Sequence, residues 1–283
     1  MTKKWPDKAL VGYVTAYGST QPANVTTDMI KESLKHHYSV FVYAFGYIHF
    51  NNSVVKPSGV SELDLRAQIS DIHTADGIVL LSFGGQNNTF CPNPNDPIEA
   101  AQNTIKLCNE YGFDGIDLDL ESVSVDGQYI LEYMSEIRKH SSLFITAAPQ
   151  IGGGYGSPAT FRPALFSDAF VRDANFTALL VQEYNQYGGA VFGGLKDTDE
   201  GFITASFDSL VDADFVPKDT KIVVGEPANK RAGSGLSDPK EITEDIKSGD
   251  VLANSQYGGV MVWALNYDAE QGWSFANGVT EVI

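Results

Sequence analysis

Residues Asp114–Glu121 read DGIDLDLE. Successive side chains of a strand point to opposite faces, so Asp117, Asp119 and Glu121 share one face and Ile116, Leu118 and Leu120 the other. A closed parallel barrel accommodates such a strand. Its apolar side meets surrounding helices, and its carboxylates point inward and climb toward the C-terminal mouth, where barrel enzymes hold their sites. Three like charges stacked this way repel one another and lose water. At least one is expected to keep its proton near neutrality, which is what a general acid requires. Asp114 is out of phase with the three and is expected to serve the start of the strand.

Similar short runs recur on both sides of this stretch: 9–14, 40–45, 77–83, 113–120, 143–148, 178–182, 221–225 and 258–264. Near-continuous apolar character bounded by turn residues predicts buried parallel strands. Between them, 97–111 places Ile98, Ala101, Ile105 and Cys108 at helical spacing, and 126–140 does so with Ile130, Met134 and Ile137 behind an Asp126 cap. Asp238-Pro239 caps a third helix carrying Ile242 and Ile246. Eight strands over 283 residues give about 35 residues per repeat, the spacing of an α/β (β/α)8 TIM barrel. An open doubly wound sheet would carry a glycine-rich fingerprint after its first strand, and Val11–Tyr17 (VGYVTAY) shows none. With no linker-like stretch, residues 1–283 read as one catalytic barrel domain. The glycine run 152–157 falls at the mouth, as a rim loop or a plain surface loop.

Acids number 36 and bases 19, a net charge of −17. This disfavours nucleic acid and membrane surfaces as partners, whereas a neutral polymer feels no repulsion. The two cysteines, Cys91 and Cys108, exclude a disulfide scaffold and a four-cysteine zinc site, and leave open whether they pair. The histidines, 36, 37, 49, 73 and 140, form no ligand pair, so no metal is expected. Without a phosphate loop or a nucleophile elbow, no cofactor is expected either. No transmembrane run or signal peptide is visible.

The pattern Asp-x-x-Asp-x-Asp-x-Glu at 114–121 resembles the signature of family 18 glycoside hydrolases, the chitinases and their relatives. Four further segments agree in order: Ser82-Phe83-Gly84-Gly85, Thr146-Ala147-Ala148-Pro149-Gln150, Gln182-Glu183-Tyr184-Asn185, and Trp263 after Gly258-Gly259-Val260-Met261-Val262. The second and third look like plant and fungal-type members. The resemblance implies hydrolysis of β-1,4-linked N-acetylglucosamine by a retaining, substrate-assisted mechanism. Glu121 would be the acid. Asp119 would hold the acetamido N–H, Asp117 would share a proton with Asp119, and Tyr184 would hold the acetamido oxygen. Trp263 would floor the sugar site, or else fill the core. Gln182 and Asn185 look like sugar contacts or supports, and Ser82 like a support for Asp117 or a turn hydroxyl. Tyr13 and Phe45 are candidates for lining the cavity, and equally for ordinary barrel filling.

Many bacterial relatives carry an insertion domain after strand seven. The roughly 30 residues from Glu226 to Gly258 leave no room for one, so an open cleft and endo-acting cleavage are expected. Chitin or chito-oligosaccharides are the expected partners, with no obligate protein partner. The function implies an extracellular location, although no leader is seen. An endo-β-N-acetylglucosaminidase acting on N-glycan cores, and a non-catalytic chitin-binding lectin, are the competing readings.

Overall fold

Apolar runs covered on both faces form the strands. The computed structural model describes residues 3–18, 22–152, 160–186 and 194–283. The barrel strands are β1 (Ala9–Thr15), β2 (Tyr38–Ala44), β3 (Ile78–Gly84), β4 (Gly115–Asp119), β5 (Phe144–Ala147), β6 (Ala178–Gln182), β7 (Lys221–Pro227) and β8 (Tyr257–Trp263). Each lies within two residues of its sequence-based bounds. All pair in parallel in chain order. Ala9 opposite Gly259 joins β1 to β8, and Ala178 opposite Lys221 joins β6 to β7, which closes the (β/α)8 TIM barrel.

The helices are α1 (Thr27–Ser33), α2 (Glu62–Thr74), α3 (Pro97–Tyr111), α4 (Gly127–His140), α5 (Asp168–Ala174), α6 (Phe202–Asp212), α7 (Pro239–Ser248), α8 (Leu265–Glu270) and α9 (Ser274–Gly278). Side-chain caps start many of them. Asp96, Asp126 and Asp238 accept from Glu99, Tyr129 and Lys240 N–H, contacts worth about 1 kcal/mol each. Gly201 gives α6 no side-chain cap. Asp245 of α7 supplies one, accepting from Gly201, Ile203 and Thr204 N–H at 2.9, 3.2 and 3.1 Å.

The structure corrects the sequence reading in places. Ile98 is 42% exposed; the buried stripe of α3 is turned to Ala100, Ala101, Thr104, Leu107 and Cys108. Cys91 and Cys108 are free thiols, and burial pushes the Cys108 thiol up to about 12. Beyond Gly152, the glycine run lies outside the described residues. Asp114 accepts from Lys3 Nζ and the Val79 N–H and contacts His73 Nε2, fixing the base of β4. Between β7 and β8, residues 228–256 hold only α7 and the short 3-10 turn Val251–Ala253.

Candidate active site

Strand register assembles the centre. Ser82 of β3, Asp117 of β4 and Thr146 of β5 lie side by side in one layer of the barrel. Ser82 Oγ donates to Asp117 Oδ2 and Thr146 Oγ1 to Oδ1, each at 2.7 Å. From β1, Tyr13 reaches the same carboxylate, its hydroxyl donating to Oδ2 at 2.7 Å. Burial raises the Asp117 carboxyl, and these three hydroxyls, with the Leu118 N–H, oppose the rise.

One layer nearer the mouth, Asp119 lies beside Gly84. Its Oδ1 accepts from Gln182 Nε2 at 2.9 Å, while the same amide donates to the Ala148 carbonyl at 2.9 Å. Burial holds the Asp119 carboxyl well above the usual carboxylate range, and the charges of Glu121 and Asp117 push it further. Glu121 follows the end of β4 and is exposed at the mouth. The protein behind it withdraws enough water to raise its carboxyl above the ordinary glutamate value, against a hydrogen bond from Gln182. The predicted proton sharing between Asp117 and Asp119 corresponds to no direct hydrogen bond among the described residues. The two interact through charge.

Glycines let these layers approach. A Cβ on Gly84 (φ +116°) would lie 1.9 Å from the Asp119 carbonyl oxygen, and one on Gly85 (φ +69°) 2.6 Å from the Phe45 ring. The Ser-x-Gly-Gly segment is thus a steric requirement of the backbone packing.

Tyr184 lines the cavity with its phenol held neutral, chiefly by burial and then by the charges of Asp119, Glu121 and Glu226. Asn185 lines it in the left-handed region (φ +60°) that asparagine tolerates. Its N–H donates to the Ser234 carbonyl, and its Oδ1 accepts from Ser234 N–H at 2.9 Å, tying β6 to the loop after β7. Gln150 Nε2 donates to the Tyr184 and Asn185 carbonyls at 3.1 and 3.2 Å.

Trp263 lies at the end of β8 on a cavity of about 1420 Å³ that also contains Phe45, Asp119, Glu121, Gln182 and Tyr184. Its ring stacks near Phe45 (centroids 6.2 Å, 25°), and Phe45 near Tyr17 (6.1 Å, 17°). Tyr13, a candidate wall residue, is not on the cavity surface. It is 1% exposed, lies against Trp263 at 5.5 Å, and faces Asp117. The sequence reading missed Tyr17, and also Tyr47 and His49, whose rings stack at 4.3 Å on the short hairpin after β2. Two-residue strands carry too little periodicity to be found.

Residues 9–188 match the profile described as glycosyl hydrolases family 18. The chain is 26% identical over 243 residues to a chitinase of Enterococcus faecalis, covering 76% of this chain and 67% of that protein. It is 28% identical over 190 residues to a class III chitinase of Arthroderma benhamiae, covering 64% of this chain and only 52% of that one. A family 18 chitinase structure from Chromobacterium violaceum superposes with a TM-score of 0.79 at 21% identity, covering 99% of this chain and 84% of the other. With the match extending over well above half its length, the chain belongs to family 18 of the glycosyl hydrolases.

Proposed function

We propose that this glycoside hydrolase is an endo-acting chitinase, cleaving β-1,4 bonds between N-acetylglucosamine units with retention of configuration. One observation carries the reading. Asp117, Asp119 and Glu121 climb in layers to a cavity that also presents Gln182, Tyr184 and the Trp263 ring. Glu121, raised and at the mouth, gives its proton to the glycosidic oxygen as the bond to the anomeric carbon breaks. The sugar's own acetamido oxygen attacks that carbon and forms an oxazolinium ion. Tyr184 donates to the acetamido oxygen and aligns it. Asp119, steadied by Gln182, accepts the acetamido N–H and offsets the positive charge that develops. Glu121, now a carboxylate, takes a proton from water as the water opens the ring. Beyond burial, the charges of Glu121 and Asp117 raise the Asp119 carboxyl, so the neighbouring carboxyls disfavour ionising together and a proton stays at the centre. The apolar face of Trp263 supports the pyranose. The short connection 228–256 leaves that side of the cleft without an added wall, which suits cleavage within a chain.

The test is incubation of wild type and Glu121→Gln with N-acetylglucosamine hexamer, reading product masses and the early anomer ratio. Wild type is expected to release shorter oligomers that begin as the β-anomer. The variant is expected to lose about 10²–10⁴-fold in rate while still binding. Turnover by the variant within a few-fold of wild type refutes the role of Glu121. An intact hexamer beside a cleaved N-glycan core would replace the chitinase reading with the endo-β-N-acetylglucosaminidase one.

A further inference from the structure

The cleft reverses the charge balance of the chain. Acids outnumber bases 36 to 19 overall. The cavity lining instead holds Lys56, Arg162, Lys230 and Arg231 against Asp119 and Glu121. Their surroundings separate the four bases. Lys56 Nζ is turned into its own loop, donating to the Pro57 and Val60 carbonyls. Arg231 is neutralised by Glu270 at 2.9 Å and lies over the Tyr267 ring. Among the described residues Arg162 donates to a neutral acceptor, Gln186 Oε1, at 2.7 Å. Lys230 is exposed and has no partner among the described residues. Lys56, Arg162 and Lys230 thus have no acidic partner among the described residues, and of the three Arg162 and Lys230 are exposed. Arg162 lies on a short strand (Thr160–Arg162) after β5, and Lys230 in the loop after β7. The aromatic row of Trp263, Phe45 and Tyr17 comes from the ends of β8, β2 and β1. In the closed strand order β7 adjoins β8, so Lys230 follows the strand beside that of Trp263, while β5, which leads to Arg162, is separated from β8 by β6 and β7.

We propose that Arg162 and Lys230, both on the cavity lining, recognise anionic substituents, so that the preferred substrate is a β-linked N-acetylglucosaminyl chain bearing carboxylate or sulfate groups. The inference rests on the glycosidase reading above and specifies its substrate. Arg162 presents a planar fork that matches the paired oxygens of either group, and Lys230 a mobile point charge. The overall charge of −17 does not prevent this. At physiological salt the screening length is about 8 Å, so cations in contact with a bound group outweigh acids on distant faces.

The probes are glycol chitin, which is neutral, carboxymethyl chitin and sulfated chitin. Each gives a kcat/KM, expressed as a ratio to glycol chitin. For wild type at low salt the ratio is expected above one for at least one anionic polymer, falling toward one as salt rises to about 0.3 M. The polymer that is preferred identifies the anion. The double variant Arg162→Gln with Lys230→Gln is expected to lower that ratio about tenfold. A charge-matched control, Lys106→Gln with Lys139→Gln on the outer faces of α3 and α4, is expected to keep it. Cleavage of all three polymers with wild-type ratios at or below one overturns the inference and leaves the glycosidase reading intact. So does an equal fall in both double variants, which would trace the effect to overall charge. Absence of cleavage on every polymer overturns the chitinase reading itself, and this inference with it.

Discussion

Tyr13→Phe removes one hydroxyl and tests how Asp117 is held. Tyr13 supplies one of three hydroxyl donors to a fully buried carboxylate, at 2.7 Å, and its phenol stays protonated because burial and the charges of Asp117 and Asp119 raise it. A hydrogen bond to a charged group is worth about 1.5–3 kcal/mol, and one pKa unit corresponds to about 1.4 kcal/mol. Phenylalanine keeps the ring against Trp263 and leaves Ser82 and Thr146 in place. The variant should therefore lose about 1.5–3 kcal/mol at pH 7 and raise the Asp117 carboxyl by about one to two units. The sign follows from which form is stabilised. The lost bond favoured ionised Asp117, so the loss should shrink as pH falls through the raised carboxyl value and that group takes its proton. Urea unfolding at pH 4 and pH 7 reads the effect. A loss below about 0.5 kcal/mol at pH 7, or one that does not diminish in acid, refutes this account of the Asp117 cage. A raised KM with unchanged stability would instead return Tyr13 to direct contact with the sugar.

Glu226 on β7 and Glu183, just after β6, are fully buried, and among the described residues no side chain donates to Glu226, toward which the Leu236 N–H points. Burial raises both carboxyls well above the usual value. Their folded state thus holds protons that the unfolded chain gives up near about pH 4.3. Stability should be greatest in mild acid and fall as pH rises through the folded values; Glu226→Gln should flatten that fall by about 1–3 kcal/mol, read from urea midpoints at pH 5 and 8. A slope identical to wild type would place the proton uptake elsewhere. Asp245→Ala leaves three backbone N–H groups at the start of α6 without their acceptor, and should cost about 1–3 kcal/mol in the same assay. An unchanged midpoint would show that the cap contributes nothing.

The barrel and its carboxylate ladder were legible in the sequence because both depend on period-two alternation. DGIDLDLE states which side chains face inward, and the apolar runs around it state how many strands close the sheet. What stayed hidden depends on register between distant strands. Ser82 was a candidate support for Asp117 by resemblance alone, and that Thr146 flanks the same carboxylate follows only once β4 and β5 are aligned residue by residue. Tyr13 was legible as a large side chain near the top of β1, but its role depends on the width of the closed barrel, which lets a tyrosine from β1 reach a carboxylate on β4. The same holds for charge. No local pattern connects Arg162 to Lys230, which are far apart in the chain, yet barrel closure brings both to the lining of one cavity. Alternation within a strand therefore determines the chemistry that runs along β4, while closure determines what surrounds it.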